Sequence, residues 1–425
     1  MVSCLWSGFW DYRHANLARS TGRRLTMSET CLGERDDCKR DLYKNLEEIK
    51  DQLRQEMKYV TQNIKLKSLD ELNARRSQLI LSVEEVILQL FESTATGKPP
   101  NLFIRKQSAW DHSTFAGTVT MKPSHQAKMT TVRFGDPKSR RKFALIVRLL
   151  SDIHKLLLTD TTSTRRELYY QDVKLAKSQI AVDAAMRDIC CLLDACPWEL
   201  GVVPTSKGLV AGSLVIVTAD NERLDCSAHS EGLLIPQNVT NIARMDTTAK
   251  FILIVEKDAT FQKLIAEDFL KLLGPCILIT GKGFPDMNTR LLVRRLWETF
   301  GLPTFVLTDA DPHGVEIMCV YRFGSLRMCH EAEFLATPAV RWLGVHPRDV
   351  ETLGMDASPL SRTDKDKLRH LSERPYMLAD ARLSGQVDLQ LESGVKAEIE
   401  GMARFSQCYL TDSYIPTQIT GRLFI

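Results

Sequence analysis

The sequence predicts an α/β protein: N-terminal helices, then a winged-helix module (a helix-turn-helix with a β wing), then a parallel α/β domain. Three observations predict it. Apolar residues recur at three- and four-residue steps from Asp41 onward, the period of an amphipathic helix. Between Phe143 and Ser227, three helix-like runs are followed by a hairpin signal. From Lys250, short continuous apolar runs alternate with helical stretches, the pattern of a buried parallel sheet with crossover helices.

With 425 residues, the chain has room for two or three domains. A hydrophobic fraction of 44% and a charged fraction of 26% are those of a soluble globular protein. No run approaches the roughly 20 apolar residues of a membrane span. A net charge of +3 does not by itself imply nucleic acid; its distribution says more, with a solvated basic face as the alternative to a DNA-facing one. Residues 133–177 hold eleven Lys/Arg against five Asp/Glu, a candidate DNA-facing surface. Eleven cysteines without a CxxC exclude a zinc or disulfide framework. Cys190, Cys191, Cys196, Cys276 and Cys319 lie in apolar runs and read as reduced, buried thiols.

In chain order, Arg13, Arg19, Arg23 and Arg24 stand against the single acid Asp11 in residues 1–26. That stretch resembles an organellar transit peptide. Its alternatives are an extension upstream of Met27 or part of a disordered tail over residues 1–40. Residues 41–95 read as amphipathic helices. The stripe Leu42, Leu46, Ile49, Leu53, Met57, Val60 and Ile64 is longer than a capping helix needs, so it is expected to dock a protein partner. Residues 96–130, with Pro99, Pro100 and Pro123, read as a linker or loop. Lys98 follows Gly97 without the spacing of a phosphate loop.

Residues 131–245 read as the winged-helix domain. Its helices are Phe143 to Leu158, a short one at Thr164 to Asp172, and Ile180 to Leu193. Leu209–Thr218 and Arg223–Ser227 form the wing, joined by a turn at 219–222 and opened by Thr205-Ser206-Lys207-Gly208. In the short helix, Thr164 and Glu167 make a capping box. Arg166 and Tyr170, four apart, share one face. A phenol has a pKa of about 10 and stays protonated at neutral pH. An adjacent guanidinium stabilises the phenolate and grips phosphate oxygens in a bidentate fork. The pair therefore suits a tyrosine that attacks a phosphodiester.

Residues 246–425 read as the parallel domain. Strands at Phe251–Val255 and Phe305–Thr308 end in Glu256 and in Asp309-Ala310-Asp311. The carboxyl ends of parallel strands form the functional edge of such a sheet. Three carboxylates there repel one another unless a cation sits between them. An all-oxygen set suits Mg²⁺, with Mn²⁺ as the substitute.

The ordered motifs RRELYY, TSKG, VEKD, GKGFPD and DADPHG resemble one branch of the Toprim proteins. That branch comprises the A subunit of topoisomerase VI together with its eukaryotic relative, the meiotic double-strand-break transesterase. The resemblance is strong from Arg141 to Gly354 and looser to Ile425. It implies Tyr170 as the nucleophile that joins a DNA 5′ end, Arg166 as its active-site partner, and Glu256, Asp309 and Asp311 as metal ligands. It places Lys207, Lys282 and Phe284 near double-stranded DNA. It implies a homodimer in the nucleus on chromosomes, and a topoisomerase VI B-like ATPase partner with accessory proteins, because this chain has no ATPase signature. The activity so implied is that of a type II topoisomerase-like transesterase that initiates meiotic recombination. Other readings are the A subunit of a type IIB topoisomerase that works with its B subunit, a Toprim nuclease or primase without a covalent intermediate, and a DNA-binding scaffold.

Overall fold

The computed structural model describes residues 27–57, 69–106, 110–123, 125–329 and 331–425. The transit-peptide reading, together with Val60 and Ile64 of the apolar stripe, lies outside the described residues. The chain divides into two compact units between Asn45 and Leu46.

Of the first unit, residues 27–45 are described, and they are helical: they begin helix α1 (Met27–Met57). The tail expected over residues 1–40 is therefore helical from Met27. Glu, Leu, Lys, Arg and Met supply good helix formers in this stretch, and Gly33 is the strongest opponent among them.

The second unit contains the rest of α1. Leu46, Ile49, Leu53 and Met57 are all buried, and Met57 packs with Trp297 and Ala339. Glu47 pairs with Lys250 at 3.3 Å, Glu56 with Arg341 at 2.6 Å, and Glu48 with Arg422. The stripe expected to receive a partner is thus covered by its own chain over these residues. The period of a stripe shows that something covers it and does not show what.

A helical core follows. Helix α2 (Leu69–Ala95), the antiparallel pair β1 (Asn101–Arg105) and β4 (Met129–Arg133), and helix α3 (Arg140–Thr159) bury one continuous set of side chains. Between β1 and β4 lies a small hairpin of β2 (Ser113–Phe115) and β3 (Val119–Met121). Val119 enters the core of the central sheet, and Phe115 packs edge-on against Phe323 and Tyr376. The linker expected over residues 96–130 is therefore four short strands. Leu102-Phe103-Ile104 is an unbroken apolar run in the sequence, so the alternating burial along β1 was not readable there, and Pro99 and Pro100 just before it pointed to a loop.

Strand β5 (Ser163–Thr164) leads into α4 (Arg165–Gln171), and α5 (Gln179–Leu193) completes the helical core. Strand β6 (Val202–Val203) pairs in parallel with β5. The expected wing then diverges from its reading. Leu209–Thr218 is two strands, β7 (Leu209–Gly212) and β8 (Leu214–Thr218), broken where Gly212 adopts φ +100°. A Cβ at Gly212 would collide with the Cys276 carbonyl, so the chain bends there only because this residue has none. Strand β9 (Arg223–Asp225) does form the hairpin with β8, and β11 (Ile242–Thr247) flanks it. Yet Leu214, Ile216, Ile242 and Met245 belong to the central sheet's core, not to that of the helices.

That sheet has the order β10–β7–β13–β12–β14–β15. Its strands are β10 (Leu233–Leu234), β12 (Ile252–Val255), β13 (Ile277–Thr280), β14 (Thr304–Leu307) and β15 (Val340–Gly344), with β7. Strands β12 to β15 run parallel, and β7 joins antiparallel to β13. Every residue of β12, β13 and β14 is buried, as continuous apolar runs require when both faces are covered. Helices α6 (Asp258–Ala266), α7 (Met287–Phe300) and α8 (Pro312–Phe323) follow β12, β13 and β14. Parallel register aligns Val255, Thr280 and Leu307, so their loops open on one edge. No helix among the described residues is long and apolar enough to cross a membrane.

Candidate active site

The capping box of α4 is formed. Thr164 Oγ1 accepts the Glu167 amide at 3.1 Å, and Glu167 Oε2 accepts the Thr164 amide at 2.7 Å. Ser163 adds a hydroxyl to the same carboxylate at 3.0 Å. Leu168 is buried, and Tyr169 packs against the helical core. One residue on, about 100° around the helix, Tyr170 is 60% exposed. The Arg166 guanidinium lies over its ring, 5.9 Å from the centroid. Adjacent tyrosines are thereby separated in environment: one is half-buried, the other faces outward beside an Arg.

At the sheet edge, Glu256 is 9% exposed and Asp309 4%. Glu256 Oε2 accepts the Asp309 amide at 3.0 Å. Burial, then the Asp309 charge, pushes the Glu256 carboxyl up to about 7. Burial raises Asp309 too, although Lys257 and the Ile399 amide oppose it. Asp311 caps α8 by accepting the Gly314 amide at 2.6 Å, and its charge also raises Glu256. Among the described residues, no three His, Cys, Asp or Glu side chains stand together as a ready metal cage. Asp309 has both oxygens engaged, one accepting the Ile399 amide and one paired with Lys257. The donor set nonetheless fits a hard divalent cation, since it is all carboxylate and Glu256 and Asp309 are penalised for their charge where they sit.

Lys207 and Lys282 meet at the rim. Lys207 Nζ donates to the Lys282 carbonyl at 3.1 Å, and the Gly283 amide donates to the Glu256 carbonyl at 2.8 Å. Asp286, which caps α7, also accepts the Lys207 amide at 3.0 Å. Phe284 is exposed, edge-on to His313 at 6.4 Å, with Lys367 Nζ 5.6 Å from its ring centroid. The residues expected to act thus form two groups. Arg166 and Tyr170 stand on the helical core; Glu256, Asp309, Asp311, Lys207, Lys282 and Phe284 gather at the sheet edge. Among the described residues, no hydrogen bond, ion pair or ring contact joins Tyr170 to the sheet edge.

Sequence reading passed over Lys257, Glu398 and Glu400. Lys257 Nζ lies 2.9 Å from Asp309 Oδ2, 3.0 Å from Glu398 and 2.9 Å from Glu400. Its position beside Glu256 was the one signal available, because the two glutamates arrive from about 140 residues away.

Residues 251–419 match the family described as Topoisomerase 6 A-subunit/Spo11, Toprim domain, and residues 141–202 match type IIB DNA topoisomerase. The chain is 40% identical over 349 residues to meiotic recombination protein SPO11 of Mus musculus, covering 81% of this chain and 88% of that protein. The Homo sapiens protein of the same name is 39% identical with the same coverage. The A subunit of DNA topoisomerase 6 from Arabidopsis thaliana is 34% identical over 297 residues, 69% of each chain.

Proposed function

We propose that this chain, which belongs to the topoisomerase 6 A-subunit/Spo11 family, makes DNA double-strand breaks by transesterification and so initiates meiotic recombination in the nucleus. The observation that carries the reading is the outward-facing Tyr170 beneath Arg166, next to an inward-packed Tyr169. Tyr170 Oη loses its proton and attacks phosphorus. The bond from phosphorus to the 3′ oxygen breaks, that oxygen leaves and takes up a proton, and the 5′ end stays joined to the phenol oxygen. Arg166 stabilises the phenolate and holds a non-bridging phosphate oxygen.

The Toprim domain is a divalent-metal-binding domain. Glu256, Asp309 and Asp311 are the residues that would hold Mg²⁺ or Mn²⁺; when bound, the ion neutralises charge on the scissile phosphate. Lys207, Lys282 and Phe284 line the edge along which DNA would lie. The helical core, with its β1–β4 ribbon, acts as the winged-helix-type DNA-binding unit. The active form is a homodimer that presents each Tyr170 to the partner's sheet edge, working with a topoisomerase VI B-like subunit.

The test is whether DNA ends remain covalently attached to the chain after denaturation. Tyr170→Phe should abolish the adduct and keep DNA binding, whereas Tyr169→Phe should retain the adduct. An adduct that survives Tyr170→Phe overturns the assignment. Free ends without an adduct indicate a nuclease.

A further inference from the structure

We propose that Lys257 is a positioning residue whose ammonium locks residues 396–400 over Asp309 and gives way to the divalent cation when the metal loads. The inference rests on the reading of Glu256, Asp309 and Asp311 as the metal-binding set.

A lysine ammonium has three N–H bonds, and Lys257 spends them on three carboxylates: Asp309, Glu398 and Glu400. The other oxygen of Asp309 accepts the Ile399 amide at 2.9 Å. Ala310 and Ala397 exchange two backbone hydrogen bonds, at 3.0 and 3.2 Å. Residues 396–400 therefore lie directly across the loop that carries Asp309. They are anchored on either side, by Lys396 to Asp364 at 2.9 Å and by Thr260 to Glu400 at 3.1 Å. Both oxygens of Asp309 are engaged. A divalent ion that takes Oδ2 meets the ammonium already there, and two cations on one carboxylate oxygen repel. The displaced Lys257 draws Glu398 and Glu400 with it. Strap closure and metal loading then oppose each other by the same factor, as linkage demands.

The test uses the full chain and Mn²⁺ without DNA. Metal affinity is read by electron paramagnetic resonance, and amide hydrogen exchange is followed over residues 396–401. In the wild type, saturating Mn²⁺ should speed exchange at the Ile399 amide several-fold. Lys257→Met keeps the unbranched stem, one atom shorter, and removes the charge. It should bind Mn²⁺ about tenfold more tightly, the worth of one charge-assisted hydrogen bond, and its strap should exchange fast with or without metal. Lys257→Arg should restore wild-type affinity and a metal-responsive strap. A lysine that only holds the loop together predicts the opposite sign, weaker Mn²⁺ binding on its removal. The inference is overturned if Lys257→Met binds Mn²⁺ no more tightly, or if wild-type exchange ignores Mn²⁺, an arm that needs no variant. A Glu256→Gln chain that binds Mn²⁺ like the wild type instead overturns the metal-set reading beneath it.

Discussion

A seven-residue helix brings Arg166 and Tyr170 side by side on one face. The Arg166 guanidinium lies 5.9 Å from the Tyr170 ring centroid, on the side chain next to the hydroxyl proposed to attack. Removing such a donor commonly costs two to three orders of magnitude in rate. Arg166→Ala should therefore slow single-turnover cleavage about a hundredfold or more with DNA binding largely kept. Arg166→Lys should lie between, because a point charge replaces a planar fork. Equal rates for Arg166→Ala and the wild type would leave the guanidinium without a role. That the two tyrosines face different ways was legible in sequence from helical periodicity; which of them attacks rests on the family resemblance and on Arg166 four residues before Tyr170. The identity of Asp309's partners was not legible, because Lys257 reaches it from the end of one strand while Glu398 and Ile399 arrive from the C-terminal stretch.

At the scale of elements, the stripe Leu46, Ile49, Leu53 and Met57 of α1 is buried and is not a docking face. Leu53 is 4% exposed, so Leu53→Ala should cost about 2–5 kcal/mol of stability. The fall should be seen in thermal unfolding of the chain alone, without any partner present. An unchanged unfolding midpoint would mean that the stripe is not core. A second element offers a pH test. Helix α9 (Arg362–Ser372) starts with a capping box between Ser361 and Asp364. Burial alone would raise the Asp364 carboxyl. The Lys396 ammonium and the Ser361 amide and hydroxyl win, and hold it at about 2. In the unfolded chain an Asp titrates near 4. The contribution of Asp364 is thus fully present above about pH 4 and is lost as pH falls toward 2. Asp364→Asn should lower stability at neutral pH and flatten its decline between pH 4 and 2. The helices were legible from a long, regular period, and the buried strands from continuous apolar runs. The four strands between α2 and α3 were not, because β2, β3 and β4 mix Ser or Thr with isolated apolar residues, and Pro99 and Pro100 stand just before β1.

For the whole molecule, the separation of Tyr170 from the sheet-edge acids points to a site shared between two chains. In-line attack needs the phenol oxygen within roughly 3–3.5 Å of phosphorus while the metal holds the same phosphate. A two-fold dimer meets that demand twice, once for each strand. Mixing Tyr170→Phe chains with Glu256→Gln chains should give heterodimers that nick one strand, since one composite site stays intact. A heterodimer that assembles, binds DNA and forms no covalent product would show that each site lies within one chain. The parallel sheet was legible from its apolar runs, but the place of β7 was not, because Leu209-Val210-Ala211-Gly212 suits a wing as well as a sheet edge. That placement governs how far the nucleophile can travel. Between β6, which holds the start of α4 through β5, and β7, which is woven into the sheet, run only residues 204–208. They are pinned to α7 as well, Asn288 donating to Pro204 and Ser206, and Asp286 accepting from Lys207 and Gly208. Unpinned and pulled straight, five residues reach about 17 Å. If the helical core swings away from the sheet after cutting, it does so on a leash of that length, and a DNA end joined to Tyr170 is held on the same leash.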